Sequence, residues 1–73
     1  MRFNKQKLYD LAIFDVNHKH IWQGHGHFSS KSDAIEQAKV QADLYDIELG
    51  HISICDVEES TIVRYTPSGR IWG

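Results

Sequence analysis

The feature of this chain that most constrains its fold is one stretch of helical period set between strand-like stretches. In the helical stretch, 31–49, apolar residues recur every three or four positions. The strand-like stretches are short, rich in β-branched and aromatic residues, and lie at 7–16, 20–28, 51–57 and 61–65. This order predicts an α+β fold, β-β-α-β-β, with an antiparallel sheet of four or five strands and the helix packed on one face. Arg70-Ile71-Trp72 follows a Pro-Ser-Gly turn and is expected to form a short extra strand.

The length of the chain limits how much core it can build. With 73 residues there is room for one core, so 1–73 is expected to be a single domain. A domain of this size buries only roughly 60% of its unfolded surface. Cys55 is the one cysteine, so no intrachain disulfide can support the fold. Self-association or a structural metal therefore remain as additional stabilisers.

The charge and hydropathy of the chain argue against nucleic acid and membrane as partners. The formal net charge is −2, whereas domains that bind nucleic acid usually carry a basic excess, so general nucleic-acid binding is not expected. The apolar stretch after the basic amino terminus is interrupted by Asp10 and Asp15. Such a stretch is neither a signal peptide nor a membrane span, and the expected location is the cytoplasm.

The helix has clear start and stop signals. Ser30 is placed to cap the first turn, and Asp33 adds a negative charge that the helix dipole favours there. Gly50 is expected to end the helix in a left-handed cap. The stripe expected to pack on the sheet consists of Ile35, Ala38, Ala42, Tyr45 and Leu49. Because alanine dominates its middle, Gly24 and Gly26 on the second strand are expected to receive the helix closely, with Trp22 and Phe28 filling the volume to either side.

A second apolar stripe lies on the opposite side of the same helix. Its members are Val40, Leu44 and Ile47. If the helix runs to residue 49, these side chains face water, which predicts a surface for a partner chain or a second copy. In the alternative, the helix ends near Asp46, and Ile47 and Leu49 belong to a packed loop. Trp72 either closes the core in a last short strand or is an exposed anchor for a partner.

The histidines raise the question of a metal site. Strand alternation places His25 and His27 on one face of the second strand, where they supply two candidate metal ligands. A third ligand would have to come from His51 or Cys55, and the sequence has no zinc-type spacing. We therefore predict no tight stoichiometric zinc and no other cofactor. No nucleophile motif surrounds Cys55, and mid-strand cysteines are usually small apolar fillers, so no catalytic residue is assigned.

Three segments together resemble a class of small proteins. They are Ser32-Asp-Ala-Ile-Glu-Gln-Ala-Lys, Gly50-His-Ile-Ser-Ile and Tyr65-Thr-Pro-Ser-Gly-Arg-Ile-Trp72. This pattern is similar to small β-β-α-β-β proteins carried by phages and mobile elements, including some anti-CRISPR inhibitors. The resemblance implies a protein without an active site that binds a surface of a larger host complex. The expected function is thus a non-enzymatic protein-binding module, with a homodimer as one form. A histidine-based metal-binding module is the alternative, and a small enzyme comes third.

Overall fold

The computed structural model describes residues 6–69 and the backbone of residues 71 and 72. Its elements are β1 (Lys7–Asp15), β2 (His20–Phe28), α1 (Lys31–Leu44), β3 (Leu49–Asp56), β4 (Thr61–Tyr65) and β5 (Ile71–Trp72). The strands form one sheet in the order β2-β1-β3-β4-β5, and all neighbours are antiparallel. The predicted α+β fold with one helix is therefore confirmed. The short last strand is also present, and the backbone of Trp72 pairs with Arg64.

The core lies between α1 and the two central strands. Across the sheet, Ile13 on β1 pairs with Trp22 on β2 and with Ile52 on β3. Period-two alternation places these side chains on the face that α1 covers. The buried apolar residues are Tyr9, Leu11, Ile13, Ala34, Ile35, Ala38, Ala42, Ile52 and Ile54. Alternate side chains of the same strands form the opposite face of the sheet, which we call the open face.

The helix begins as predicted and ends earlier than predicted. Ser30 is the N-cap, and its Oγ accepts a hydrogen bond from the Asp33 amide at 3.2 Å. The predicted end at residue 49 is wrong, because Asp46 adopts a left-handed backbone (φ 58°) just after the C-cap. The Ile47 amide donates to the Ala42 carbonyl at 2.8 Å, which closes a Schellman motif. Gly50, predicted as the cap, lies inside β3.

The early end changes the predicted stripe. Ile35, Ala38 and Ala42 are buried as expected, whereas Tyr45 is 61% exposed and does not join the core. Leu49 belongs to β3, and Ile47 is half-buried against the core from the α1–β3 loop. The alternative of a helix ending near residue 46, with both residues packed beyond it, describes the structure better.

Three glycines are fixed by close contacts. A Cβ added at Gly24 would lie 2.4 Å from the ring of Trp22, and one added at Gly26 would lie 3.1 Å from the ring of Phe28. The two aromatic rings of β2 itself thus occupy the space that the sequence assigned to the helix. At Gly50 the nearest atom is backbone, since an added Cβ would lie 2.1 Å from the Asp15 carbonyl oxygen.

Candidate functional site

The outer face of α1 presents apolar side chains to solvent. Val40 is 55% exposed and Leu44 is 69% exposed, and a spacing of four residues makes them neighbours on one helix face. Both lie on the side opposite the buried Ala38, as the sequence predicts. The other two predicted interface residues differ: Ile47 packs against the core, and the side chain of Trp72 lies outside the described residues.

A separate groove at the end of the helix is also lined by exposed apolar side chains. Tyr45, which follows Leu44, lines this groove with Val16 and Ile21. Val16 is 51% exposed and Ile21 is 42% exposed. Ile21 is the extra residue of a β-bulge, because Ile13 pairs with Trp22 and Phe14 with His20.

A second feature on the open face was missed by the sequence analysis. Phe14 of β1 stacks on the imidazole of His51 of β3, with ring centroids 4.5 Å apart and planes 9° apart. The ring of His20 lies 5.2 Å from Phe14 on its other side, and that of His18 lies 6.3 Å from His51. These rings form an aromatic cluster because Phe14 pairs with His51 on one neighbouring strand and with His20 on the other. Its only signal in the sequence was the His18-Lys-His20 turn.

The aromatic cluster borders an open depression of about 500 Å³. Its lining residues are Val16, His18, Leu49, Gly50, His51, Arg64 and Thr66. Among the described residues, the lining includes two imidazoles and one guanidinium and no carboxylate. Burial lowers the pKa of His51 below its ordinary 6.5, and the positive charges of Arg64 and His18 lower it further.

The predicted metal candidates do not gather into a site. His25 and His27 are exposed on β2, an edge strand of the sheet. His25 pairs with Asp10, and Asp10 pairs in turn with Cys55 on β3. Within the described residues, no group of three or more His, Cys, Asp or Glu side chains is arranged to hold a metal ion. The absence of tight zinc binding stays a prediction for solution measurement.

Comparisons with protein-family models, with curated proteins and with solved structures found no match to this chain. Across the described part of the chain, no helix has the length and apolar character that crossing a bilayer requires.

Proposed function

We propose that this protein is a non-enzymatic binding module that docks on another protein through the outer face of α1. The observation that supports the proposal most strongly is Leu44, which is 69% exposed beside the 55% exposed Val40. Moving such a side chain from water into an apolar contact contributes roughly 1.5–3 kcal/mol. A partner that covers both residues therefore gains binding energy without any change in the fold.

The surroundings of the two residues have the composition of an interface. Glu36, Gln37 and Asp43 are exposed and lie within one helical turn of Val40, so polar groups border the apolar centre. At one end, Tyr45 adds an aromatic side chain of the kind enriched at binding hot spots.

The proposed partner is a surface of a larger host complex, as the resemblance to phage and mobile-element proteins implies. A second copy of the chain is the other candidate, since a small core gains stability by self-association. We place the interaction in the cytoplasm, where an unpaired cysteine such as Cys55 stays reduced. No catalytic step is assigned.

The test is the variant Leu44→Glu. Leucine and glutamate have similar helix propensities, and Leu44 is exposed, so the exchange of side chains should change the free energy of unfolding by less than about 0.5 kcal/mol. The negative charge added at the carboxyl end of α1 should lower it by about 0.3–1 kcal/mol more. We expect the change to weaken self-association in sedimentation, or affinity for a host complex in a binding assay.

The matched control is Gln23→Glu, which adds the same charge at an exposed position on the open face of β2. It should leave both association and stability unchanged. If Leu44→Glu has the mass and affinity of the parent protein but loses several kcal/mol of stability, Leu44 is a core residue and the proposal is wrong.

A further inference from the structure

The depression on the open face combines cationic groups with apolar walls. Arg64 projects from β4 beside Ser53, and His51 lies on the same face of β3. His18 reaches the depression from the β1–β2 turn. Val16 and Leu49 add the apolar part of the lining. These groups come from three parts of the chain, the β1–β2 turn, β3 and β4, and only the folded sheet brings them together.

The charges around this depression are not balanced within the described part of the chain. The ion pairs formed by residues 6–69 join Lys7 to Asp56 and Glu59, and Lys39 to Glu36. None of them involves Arg64. Arg64 and His18 both act against a positive charge on the His51 ring. A bound anion would remove this repulsion, because opposite charges at short range attract strongly in a partly dehydrated site.

Other charged groups near His51 do not supply that anion. His20 lies across Phe14 from His51 and adds a further titratable ring. Asp15, on the neighbouring strand, and Glu48, just before β3, are carboxylates at this end of the sheet, and neither lines the depression. The Oδ1 of Asp15 already accepts hydrogen bonds from two backbone amides of the turn, at 2.8 and 2.9 Å. Lys19, in the same turn, is exposed and cationic.

We propose that this depression binds an oxyanion, a carboxylate or a phosphate, carried on a small apolar body. Arg64, His18 and His51 would hold the oxyanion, and Val16 and Leu49 would contact the apolar body. A depression of about 500 Å³ falls within the range of small-ligand sites, roughly 300–1,000 Å³. His51 and Arg64 lie on the sheet face opposite α1, so the groups that would hold the oxyanion are separate from the docking residues Val40 and Leu44.

The experiment is an NMR titration of the histidine ring resonances. The probes are phenyl phosphate, benzoate and inorganic phosphate, with benzyl alcohol as a neutral probe. We expect phenyl phosphate or benzoate to shift the His18 and His51 resonances saturably. The probe that binds more tightly shows whether the site prefers a phosphate or a carboxylate. Binding should be at least about threefold tighter near pH 5.5 than near pH 7.5, because protonation of His51 in acid adds a positive charge to the site.

Matched variants locate the site. Arg64→Gln removes the permanent charge and should weaken binding about tenfold. His18→Asn removes one imidazole while tolerating the left-handed backbone at this position (φ 65°), and should weaken binding. Lys31→Gln removes one positive charge on α1 and should change nothing. Thermal melting establishes that each variant is folded.

Three results would overturn the proposal. One is a lack of saturable shifts with all three anions. Another is an equal response to benzyl alcohol and benzoate, which would indicate an apolar pocket without anion selectivity. The third is unchanged affinity in Arg64→Gln, which would place the anion elsewhere on the protein.

Discussion

At the scale of single residues, three non-glycine residues among those that the structure describes have left-handed backbones, and each lies in a turn. They are His18 in the β1–β2 turn, Asp46 after α1 and Ser60 before β4. The left-handed region costs a residue with a Cβ roughly 1–2 kcal/mol, and aspartate and asparagine tolerate it better than most. The surrounding hydrogen bonds must offset that cost. At Asp46 they do so by closing the helix, with its amide bonded to the Asp43 carbonyl at 3.2 Å.

The first residue-scale prediction is that Asp46→Gly stabilises the protein. Glycine reaches a φ of 58° without steric cost. The change also removes a negative charge from the carboxyl end of α1, where the helix dipole disfavours it. We expect the free energy of unfolding to rise by about 0.5–1 kcal/mol in urea denaturation.

Asp46→Asn separates the two causes, because it removes the charge and keeps a residue tolerant of this backbone. A smaller gain in Asp46→Asn than in Asp46→Gly is expected. Lower stability of Asp46→Gly than of the parent protein would mean that the aspartate side chain stabilises the loop.

Asp46 also shows why the start of the helix could be predicted from the sequence and its end could not. Ser30 and Asp33 have distinct side-chain chemistry, so the start of α1 was predictable. At the other end, Gly50 is the residue type expected in a left-handed cap, yet the cap is Asp46. The choice depends on Ile47 reaching the core, a tertiary contact that periodicity cannot reveal.

At the scale of elements, the pairing of β1 with β3 depends on one glycine. The register shifts between Phe14 and Asp15, because Phe14 pairs with His51 and Asp15 with Leu49. Gly50 is the extra residue at this β-bulge. The backbone of β1 passes so close to it that no room remains for a side chain.

We therefore predict that Gly50→Ala destabilises the fold. An added Cβ would lie 2.1 Å from the Asp15 carbonyl oxygen, and backbone there cannot move without disturbing two central strands. The expected loss is about 1–3 kcal/mol in urea denaturation.

Gly26→Ala is the control, because the contact there is with the Phe28 ring, which can rotate away. It should cost less than Gly50→Ala. Equal stability of Gly50→Ala and the parent protein would contradict the close backbone approach at the bulge.

The strands themselves were more predictable than their alignment. The bounds of β2 and β4 match the predicted stretches, because period-two alternation is local. The register across β1 and β3 is not local. The register brings Phe14 beside His51 and His20, so the aromatic cluster could not be located from sequence spacing. His25 and His27 lie two residues apart on one strand, so they could be named from the sequence, and both are exposed in the structure.

At the scale of the whole molecule, two groups with shifted pKa values, Asp56 and His51, make the stability of the fold depend on pH. The carboxylate of Asp56 is 2% exposed and accepts hydrogen bonds from the Glu58 and Glu59 amides and from the Lys7 ammonium. Burial alone would raise the pKa of Asp56, but the Glu59 amide and Lys7 outweigh it and hold the pKa below 3.8. At the other end of β3, burial and nearby positive charge lower the pKa of His51 below 6.5.

The lowered pKa values of Asp56 and His51 both make the fold less stable in acid. When the folded pKa lies below the unfolded one, the unfolded chain binds more protons between the two values, so acid favours unfolding. The contribution of His51 is complete above pH 6.5 and is lost as the pH falls through its lowered folded pKa. The contribution of Asp56 is complete above its unfolded pKa of about 3.9 and is lost as the pH falls through its own folded pKa.

We therefore predict that the melting temperature of the parent protein falls in two stages on acidification. The first stage begins near pH 6.5 and the second near pH 4. Melting curves in buffers without carboxylate or phosphate follow both stages, since either anion could occupy the proposed site beside His51. His51→Gln should reduce the first stage and leave the second, whereas Asp56→Asn should be less stable at neutral pH and lack much of the second. A first stage as steep in His51→Gln as in the parent protein would show that other groups cause it, and that His51 is not held neutral by its surroundings.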